Sequence, residues 1–215
     1  GLSSLIGVVP KYRQGLVNLK TAVIFGIPSI AAVFATRKFI VPQIPDTVFT
    51  IADFVVTKNI LMMILFAVLM VAASVSMIRE KTKEGNGETQ EQKFNYPLIL
   101  LEGTVVGVLT GLVGAGGGFL IIPALVLLSK LPMKQAVGTS LLIIATKSLI
   151  GFTGDLSHYT MDWKLLLIVT VLAIAGIFIG NGLSKKIDGD KLKKGFGWFV
   201  LVMGIFMIIK ETILH

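Results

Sequence analysis

The chain has 215 residues, of which 54% are hydrophobic and only 15% are charged, and its mean hydropathy is +0.86. A soluble domain has about 25% charged residues and cannot bury this much apolar surface, so the composition excludes an ordinary water-soluble protein. There is no cysteine and there are only two histidines, which argues against disulfides, metal centres and a cofactor. The net charge is +8, but the basic residues fall between apolar runs, as in membrane proteins, so nucleic acid is not an expected partner.

The apolar runs predict seven membrane segments, since a transmembrane helix needs about 20 mainly apolar residues. Residues 1–9 have the composition of a helix end that stops near Pro10. The later segments are Thr21–Phe39, Asn59–Ile78, Pro97–Leu128, Gln135–Phe152, Trp163–Leu183 and Gly195–Ile209. For the segment Asn59–Ile78, a start nearer Ile51 also fits the sequence. The expected fold is an all-α, polytopic bundle of membrane helices in the cell membrane, with the lipid bilayer as its partner.

A polar stretch divides the chain into two halves. Residues 79–93 are rich in Glu, Lys, Gln, Gly and Asn and have no capacity to pack, which indicates a solvated, cytoplasmic linker within residues 79–95. The predicted units on either side are a first transmembrane repeat, residues 1–78, and a second, residues 96–215.

Two segments, one in each half, resemble each other and indicate an internal repeat. Ser4-Leu5-Ile6-Gly7 matches Ser148-Leu149-Ile150-Gly151 at an offset of 144 positions. Shared low complexity is the alternative explanation. At this offset the partner of Gly114 would precede Gly1, so the first repeat is expected to be truncated at its N-terminus and the chain to be a piece of a longer protein.

The glycine-rich segment 103–118 has two parts. Gly103, Gly107 and Gly111 recur every four residues, so they share a helix face that another backbone could approach closely. The run Gly114-Ala115-Gly116-Gly117-Gly118 holds a helix poorly, because each Gly costs about 1 kcal/mol relative to Ala. It predicts an unwound break inside the membrane. A glycine-lined packing helix without a ligand is the alternative.

The distribution of basic residues favours a re-entrant hairpin at this break. If Pro97–Leu128 crosses the membrane once, Lys and Arg divide nine to ten between the two sides, with Lys147 not counted. If the segment folds back at the glycines, they divide fourteen to five, and the five are Arg37, Lys38, Lys58, Lys164 and Lys210. Basic residues concentrate in cytoplasmic loops, so the hairpin is favoured, and the two repeats are predicted to be inverted.

The break and the span after it supply the candidate substrate-binding residues. N–H groups freed at the start of a half-helix favour an anion, which indicates Gly114, Gly116, Gly117 and Gly118. A nucleotide loop is not supported, since no Lys-Ser or Lys-Thr follows the glycines.

Polar residues in the span Gln135–Phe152 complete the candidate site: Thr139, Ser140, Lys147 and Ser148. An intramembrane lysine indicates a functional site by default, although Lys147 is near enough to Phe152 to extend to the headgroups instead. The hydroxyl groups could bind a ligand or bond back to the helix backbone. Glu102, near the start of its helix, is interpreted as interfacial. No catalytic constellation is present, so an enzyme is not expected.

Several of these motifs together resemble the second repeat of the sulfite exporter TauE/SafE family. They are Gly111-Leu112-Val113-Gly114-Ala115-Gly116-Gly117-Gly118, Pro123, Pro132-Met133-Lys134-Gln135-Ala136-Val137-Gly138-Thr139-Ser140-Leu141, Ser148 and Gly151. The resemblance implies a permease of two four-helix repeats for a small sulfur-containing anion such as sulfite, sulfoacetate or another sulfonate, coupled to an ion gradient. The alternatives are a non-transporting membrane scaffold or assembly subunit, and a permease for an unrelated small solute. A transporter is expected to have a polar cavity between the glycine break and Thr139–Ser140.

Overall fold

The computed structural model describes residues 1–45, 47–51, 54–79, 96–113, 118–155 and 163–213. These residues form eight α-helices, and the all-α class predicted from the sequence is confirmed. The helices are α1 (Leu2–Arg13), α2 (Leu19–Ala35), α3 (Lys58–Arg79), α4 (Tyr96–Val113), α5 (Gly118–Leu127), α6 (Met133–Asp155), α7 (Trp163–Lys186) and α8 (Gly189–Ile213). Apart from Arg79, the predicted linker lies outside the described residues.

Five helical segments are long and apolar enough to cross a membrane, which confirms a multi-pass membrane protein. They are Leu19–Gln43, Lys58–Arg79, Tyr96–Val113, Trp163–Lys186 and Gly189–Lys210. Two of the seven predicted segments, residues 1–9 and Gln135–Phe152, form α1 and α6, which are not among these five. The predicted stop of the first segment near Pro10 is early, since α1 continues to Arg13.

The connection between α2 and α3 differs from the prediction. It consists of a π-helical turn (Thr36–Ile40), a 3-10 turn (Val41–Gln43) and an antiparallel hairpin of β1 (Thr47–Ile51) and β2 (Phe54–Thr57). A start of the next helix near Ile51 is therefore wrong, because α3 begins at Lys58. Thr, Val, Phe and Ile dominate this run, and such β-branched and aromatic side chains favour a pleated strand.

α4 and α5 fold back on one another, as the hairpin prediction requires. The Ser129 hydroxyl, just beyond the end of α5, donates a hydrogen bond of 2.6 Å to Oε2 of Glu102 in α4. From Glu102 to Val113, and from Gly118 to Leu127, the helices rise by similar distances of about 15 Å. The start of α4 and the end of α5 are therefore at the same end of the bundle, and Val113 and Gly118, which flank the glycine run, are at the other end of this hairpin.

The two segments that match in sequence, within α1 and α6, pack antiparallel. A methyl group at Gly1 would lie 3.1 Å from Cβ of Ser148, and one at Gly7 would lie 3.4 Å from Cδ1 of Leu141. Inverted copies would meet in this way, but so would any antiparallel helix pair. The inverted repeat and the truncation of the first copy therefore stay predictions.

The glycine face of α4 packs directly on the backbone of α2, which confirms the predicted close approach. A methyl group at Gly103 would overlap the carbonyl oxygen of Phe25, and one at Gly107 would lie 2.5 Å from that of Ser29. Gly111 meets Thr36 in the same manner, so the two helices run in the same direction. The absence of side chains on this face fixes the register of α2 against α4. We call this face of α4, formed by Gly103, Gly107 and Gly111, the glycine seam.

We expect Gly107→Leu to lower the apparent melting temperature of the detergent-solubilised protein. The new side chain would force α2 away from α4, and such overpacking costs about 1–3 kcal/mol, or roughly 3–10 °C. Gly180→Leu in α7 is the matched control, because nothing lies within 4 Å of a methyl group at that position. Equal shifts for the two variants would contradict the tight packing assigned to the seam.

Candidate functional site

Lys147 of α6 points into the protein. Its Nζ donates hydrogen bonds to Oγ of Ser29 at 3.1 Å and to Oγ1 of Thr110 at 3.4 Å. Ser29 belongs to α2 and Thr110 to α4, so three helices converge on one ammonium group. This geometry does not fit the alternative in which Lys147 extends to the lipid headgroups.

The partners of Lys147 are neutral and fully enclosed. Ser29 is 0% exposed and Thr110 is 2% exposed. The Thr110 hydroxyl donates its own proton to the carbonyl oxygen of Gly107 at 3.1 Å, which leaves its lone pairs for the ammonium group. Among the described residues no carboxylate forms an ion pair with Lys147. The cluster therefore has a net positive charge without a counter-ion.

A second cation and an unpaired hydroxyl adjoin this cluster in the π-helical turn after α2. Arg37 is near enough to Lys147 for the two positive charges to repel each other. Thr36 is buried against Gly111, and its hydroxyl has no hydrogen-bond partner among the described residues. Single π-turns occur frequently at functional sites, where they re-aim side chains.

The cluster borders the glycine break. A methyl group at Gly118, the first residue of α5, would lie 3.2 Å from Ile144, which is less than one turn from Lys147. Thr110 lies one turn before the end of α4 at Val113. The structure thus brings Gly118 and Lys147 to the same level of the bundle. The other predicted glycines, Gly114, Gly116 and Gly117, lie outside the described residues.

Thr139 and Ser140 lie about two turns from Lys147, towards the start of α6. The backbone N–H of Asn18 donates to Oγ1 of Thr139 at 3.0 Å. Ser140 donates to the carbonyl oxygen of Val137 at 2.9 Å, the bond back to the helix that the sequence left open. Both hydroxyls therefore have protein partners, and substrate binding by them stays a prediction.

The remaining predicted site features have different surroundings. Ser148 lies against Gly1, the residue that precedes α1. The predicted cavity between the break and Thr139–Ser140 adjoins Gly114–Gly117, and that boundary lies outside the described residues.

Glu102 is enclosed by protein rather than interfacial. It is 4% exposed, and only its Oε2 has a partner, the Ser129 hydroxyl. Its Oε1 is buried without a hydrogen bond from the described residues. Glu102 is eight residues before Thr110, about 12 Å along α4. A carboxyl group therefore lies on the same helix as the acceptor of the Lys147 ammonium.

Sequence reasoning found Lys147 but missed Ser29, Thr110, Thr36 and Arg37. Ser29 and Thr110 are short polar residues within apolar spans, where hydroxyls commonly bond to their own helix. The available signals were weak: Ser29 follows Pro28, and Thr110 precedes a glycine of the seam. Neither signal indicates that the two hydroxyls meet one ammonium group.

The fold defines a class of protein: a polytopic helical membrane protein. In the described part of the chain there is no group of side chains that could hold a metal ion.

The chain belongs to the sulfite exporter TauE/SafE family, whose family model matches residues 1–207. Proteins of this family and the relatives below are membrane transporters, so the chain is not classed as an enzyme.

Several relatives carry the name "Probable membrane transporter protein". One from Xylella fastidiosa is 29% identical over 68% of this chain and 58% of its own length. One from Methanocaldococcus jannaschii is 33% identical over 52% of this chain and 44% of its own length. YdhB of Bacillus subtilis is 35% identical over 54% of this chain and 48% of its own length. The chain spans about half the length of the curated relatives it matches. No solved structure matches it.

We expect Ser29→Ala to destabilise the protein by about 1–3 kcal/mol, because a buried ammonium group loses an acceptor. The same substitution should have little effect in a Lys147→Met background, where no ammonium group needs a partner. A double-mutant cycle of apparent melting temperatures measures this coupling. Ser76→Ala, at an exposed position of α3, is the control. Additive effects of the Ser29 and Lys147 substitutions would contradict the assigned hydrogen bond.

Proposed function

We propose that the chain forms part of a permease for a small sulfur-containing anion, with Lys147 as the cation that binds it. The observation that carries this proposal is the ammonium group of Lys147, which is enclosed by hydroxyls and lacks a carboxylate partner. In a low-dielectric interior such a charge favours an anion strongly. The family name supports sulfite, sulfoacetate or another sulfonate as the substrate. Because the chain spans about half of its relatives, transport is proposed for the whole protein.

The substrate oxygens would be bound by donors on three sides. An ammonium group has three N–H donors, and two of those of Lys147 are used by Ser29 and Thr110. The third would bind the anion. Gly118, the first residue of α5, would add an N–H donor and the partial positive charge of a helix N-terminus, and the N–H groups of Gly114, Gly116 and Gly117, which precede it in the chain, would add further donors. Thr139, Ser140 and Ser148 would lie along the path through α6. A cation would be repelled by the Lys147 ammonium group and by the positive end of the helix dipole at Gly118.

We propose further that Glu102 couples transport to a proton gradient. A buried carboxylate with one unpaired oxygen is energetically costly, and binding a proton relieves that cost. Glu102 and Thr110 share α4, so a movement of this helix on protonation would reach the Lys147 cluster. Intramembrane carboxyl groups serve as proton relays in many transporters.

Lys147→Gln should lower the flux of radiolabelled sulfite or a sulfonate into proteoliposomes of the full-length protein by about 10- to 100-fold. This decrease in flux corresponds to the loss of one charge-assisted hydrogen bond to the anion. Gly117→Leu and Ser140→Ala should also lower the flux, and Lys164→Gln at the exposed start of α7 should not. Wild-type flux in all four variants would show that the site is elsewhere. Correct membrane insertion without any anion flux in the wild type would favour a scaffold.

Glu102→Gln should abolish accumulation of the anion driven by a pH gradient and preserve exchange at equal concentrations. Glutamine cannot bind and release the coupling proton, but it can still accept from Ser129. Asp188→Asn, in the exposed turn before α8, is the control and should keep gradient-driven accumulation. Unchanged accumulation in Glu102→Gln would assign coupling to another residue.

A further inference from the structure

A second cationic site lies at the end of the bundle, away from the Lys147 cluster. It is a cavity of about 260 Å³ lined by Lys11, Gln14, Leu16, Lys134, Ser184 and Lys185. It lies where α1 ends, α6 begins and α7 ends. Lys134 is thirteen residues before Lys147, about 20 Å along α6, so the two sites are separate.

Three ammonium groups surround this cavity. Lys11 is only 5% exposed, and its Nζ donates to Oγ of Ser184 at 3.1 Å. No carboxylate of the described residues pairs with Lys11, Lys134 or Lys185. Burial, and then the positive charges of Lys134 and Lys185, lower the pKa of Lys11. The cavity thus concentrates positive charge that has no anionic partner in the described part of the protein.

Tight packing builds the walls of the cavity. A methyl group at Gly138 would overlap the carbonyl oxygen of Leu16 and lie 3.3 Å from Cβ of Lys11. Gly7 packs as closely on Ile177 of α7, with 3.0 Å to Cγ2 for an added methyl group. α1 is therefore packed between α6 and α7.

We propose that this cavity binds a phosphate group. A phosphate presents several acceptor oxygens on a compact anion, which suits three ammonium groups, the Ser184 hydroxyl and the Gln14 amide. The same helix ends also carry Arg13 and Lys186, and basic pockets between membrane helices bind lipid headgroups. The phosphate can come from an anionic phospholipid or from free inorganic phosphate. The proposal does not depend on the transport function.

Binding is tested with the full-length protein in detergent, by calorimetry with inorganic phosphate and by native mass spectrometry with phosphatidylglycerol. Phosphatidylcholine is the reference lipid. Lys185→Gln and Lys134→Gln should each weaken binding by about tenfold, the effect of one charge-assisted hydrogen bond. Lys186→Gln is the matched control, since Lys186 has the same charge one position further along α7 but does not line the cavity. Lys11→Gln should weaken phosphate binding at least as much. Because Lys185 is exposed, Lys185→Gln tests the cavity without disturbing the packing of the interior.

The two binding measurements distinguish free inorganic phosphate from a phospholipid headgroup as the source of the bound phosphate. Binding of inorganic phosphate assigns a free anion, and binding of phosphatidylglycerol without inorganic phosphate assigns a lipid headgroup. The proposal is overturned if neither probe binds, or if Lys186→Gln weakens binding as much as Lys185→Gln. It is also overturned if sulfite binds in the cavity and phosphate does not, because the cavity would then belong to the transport path.

Discussion

The close contact between α4 and α2 is the constraint on which the rest of the site depends. Three glycines on one face of α4 let the backbones touch, so neither helix can slide without a clash. That fixed register brings Ser29 and Thr110 to the same level. Both hydroxyls are then within reach of Lys147, which approaches from α6. The backbone contact at three glycines, which have no side chains, thus determines where the charge of Lys147 can be accommodated.

Two lysines of the described residues, the buried Lys11 and the partly buried Lys147, donate to neutral hydroxyls and have no carboxylate partner there. In both places neutral hydroxyls accept from the ammonium group, whereas the ion pair between Lys191 and Asp188 is on the exposed surface. Neutral acceptors reduce the desolvation cost of the charge but do not cancel its field. Such positions attract anions; Lys147 belongs to α6, and Lys11 lies near the end of α1.

The sequence predicted those features that depend on composition and local pattern. Apolar runs predicted the membrane class, and the fourfold spacing of Gly103, Gly107 and Gly111 predicted a close helix contact. The break predicted from the glycine run falls on residues 114–117, outside the described residues, and stays a prediction. Lys147 was identified because a lysine in an apolar span is rare. The strands between α2 and α3 were not predicted, because an apolar run rich in Val and Ile next to a helical segment is also consistent with an extension of that helix. The burial of Glu102 was also missed, because its position near a helix start indicates an interface.

The sequence by itself determined that the chain is a multi-pass helical membrane protein with a lysine inside one of its apolar segments. These properties follow from hydrophobicity and backbone propensity, which act over a few neighbouring residues. Only the tertiary structure decided that Ser29, Thr110 and Lys147 meet, and that Lys11 shares a cavity with Lys134 and Lys185. Those groups are far apart in the chain, and their contact depends on how helices pack rather than on where each helix begins and ends.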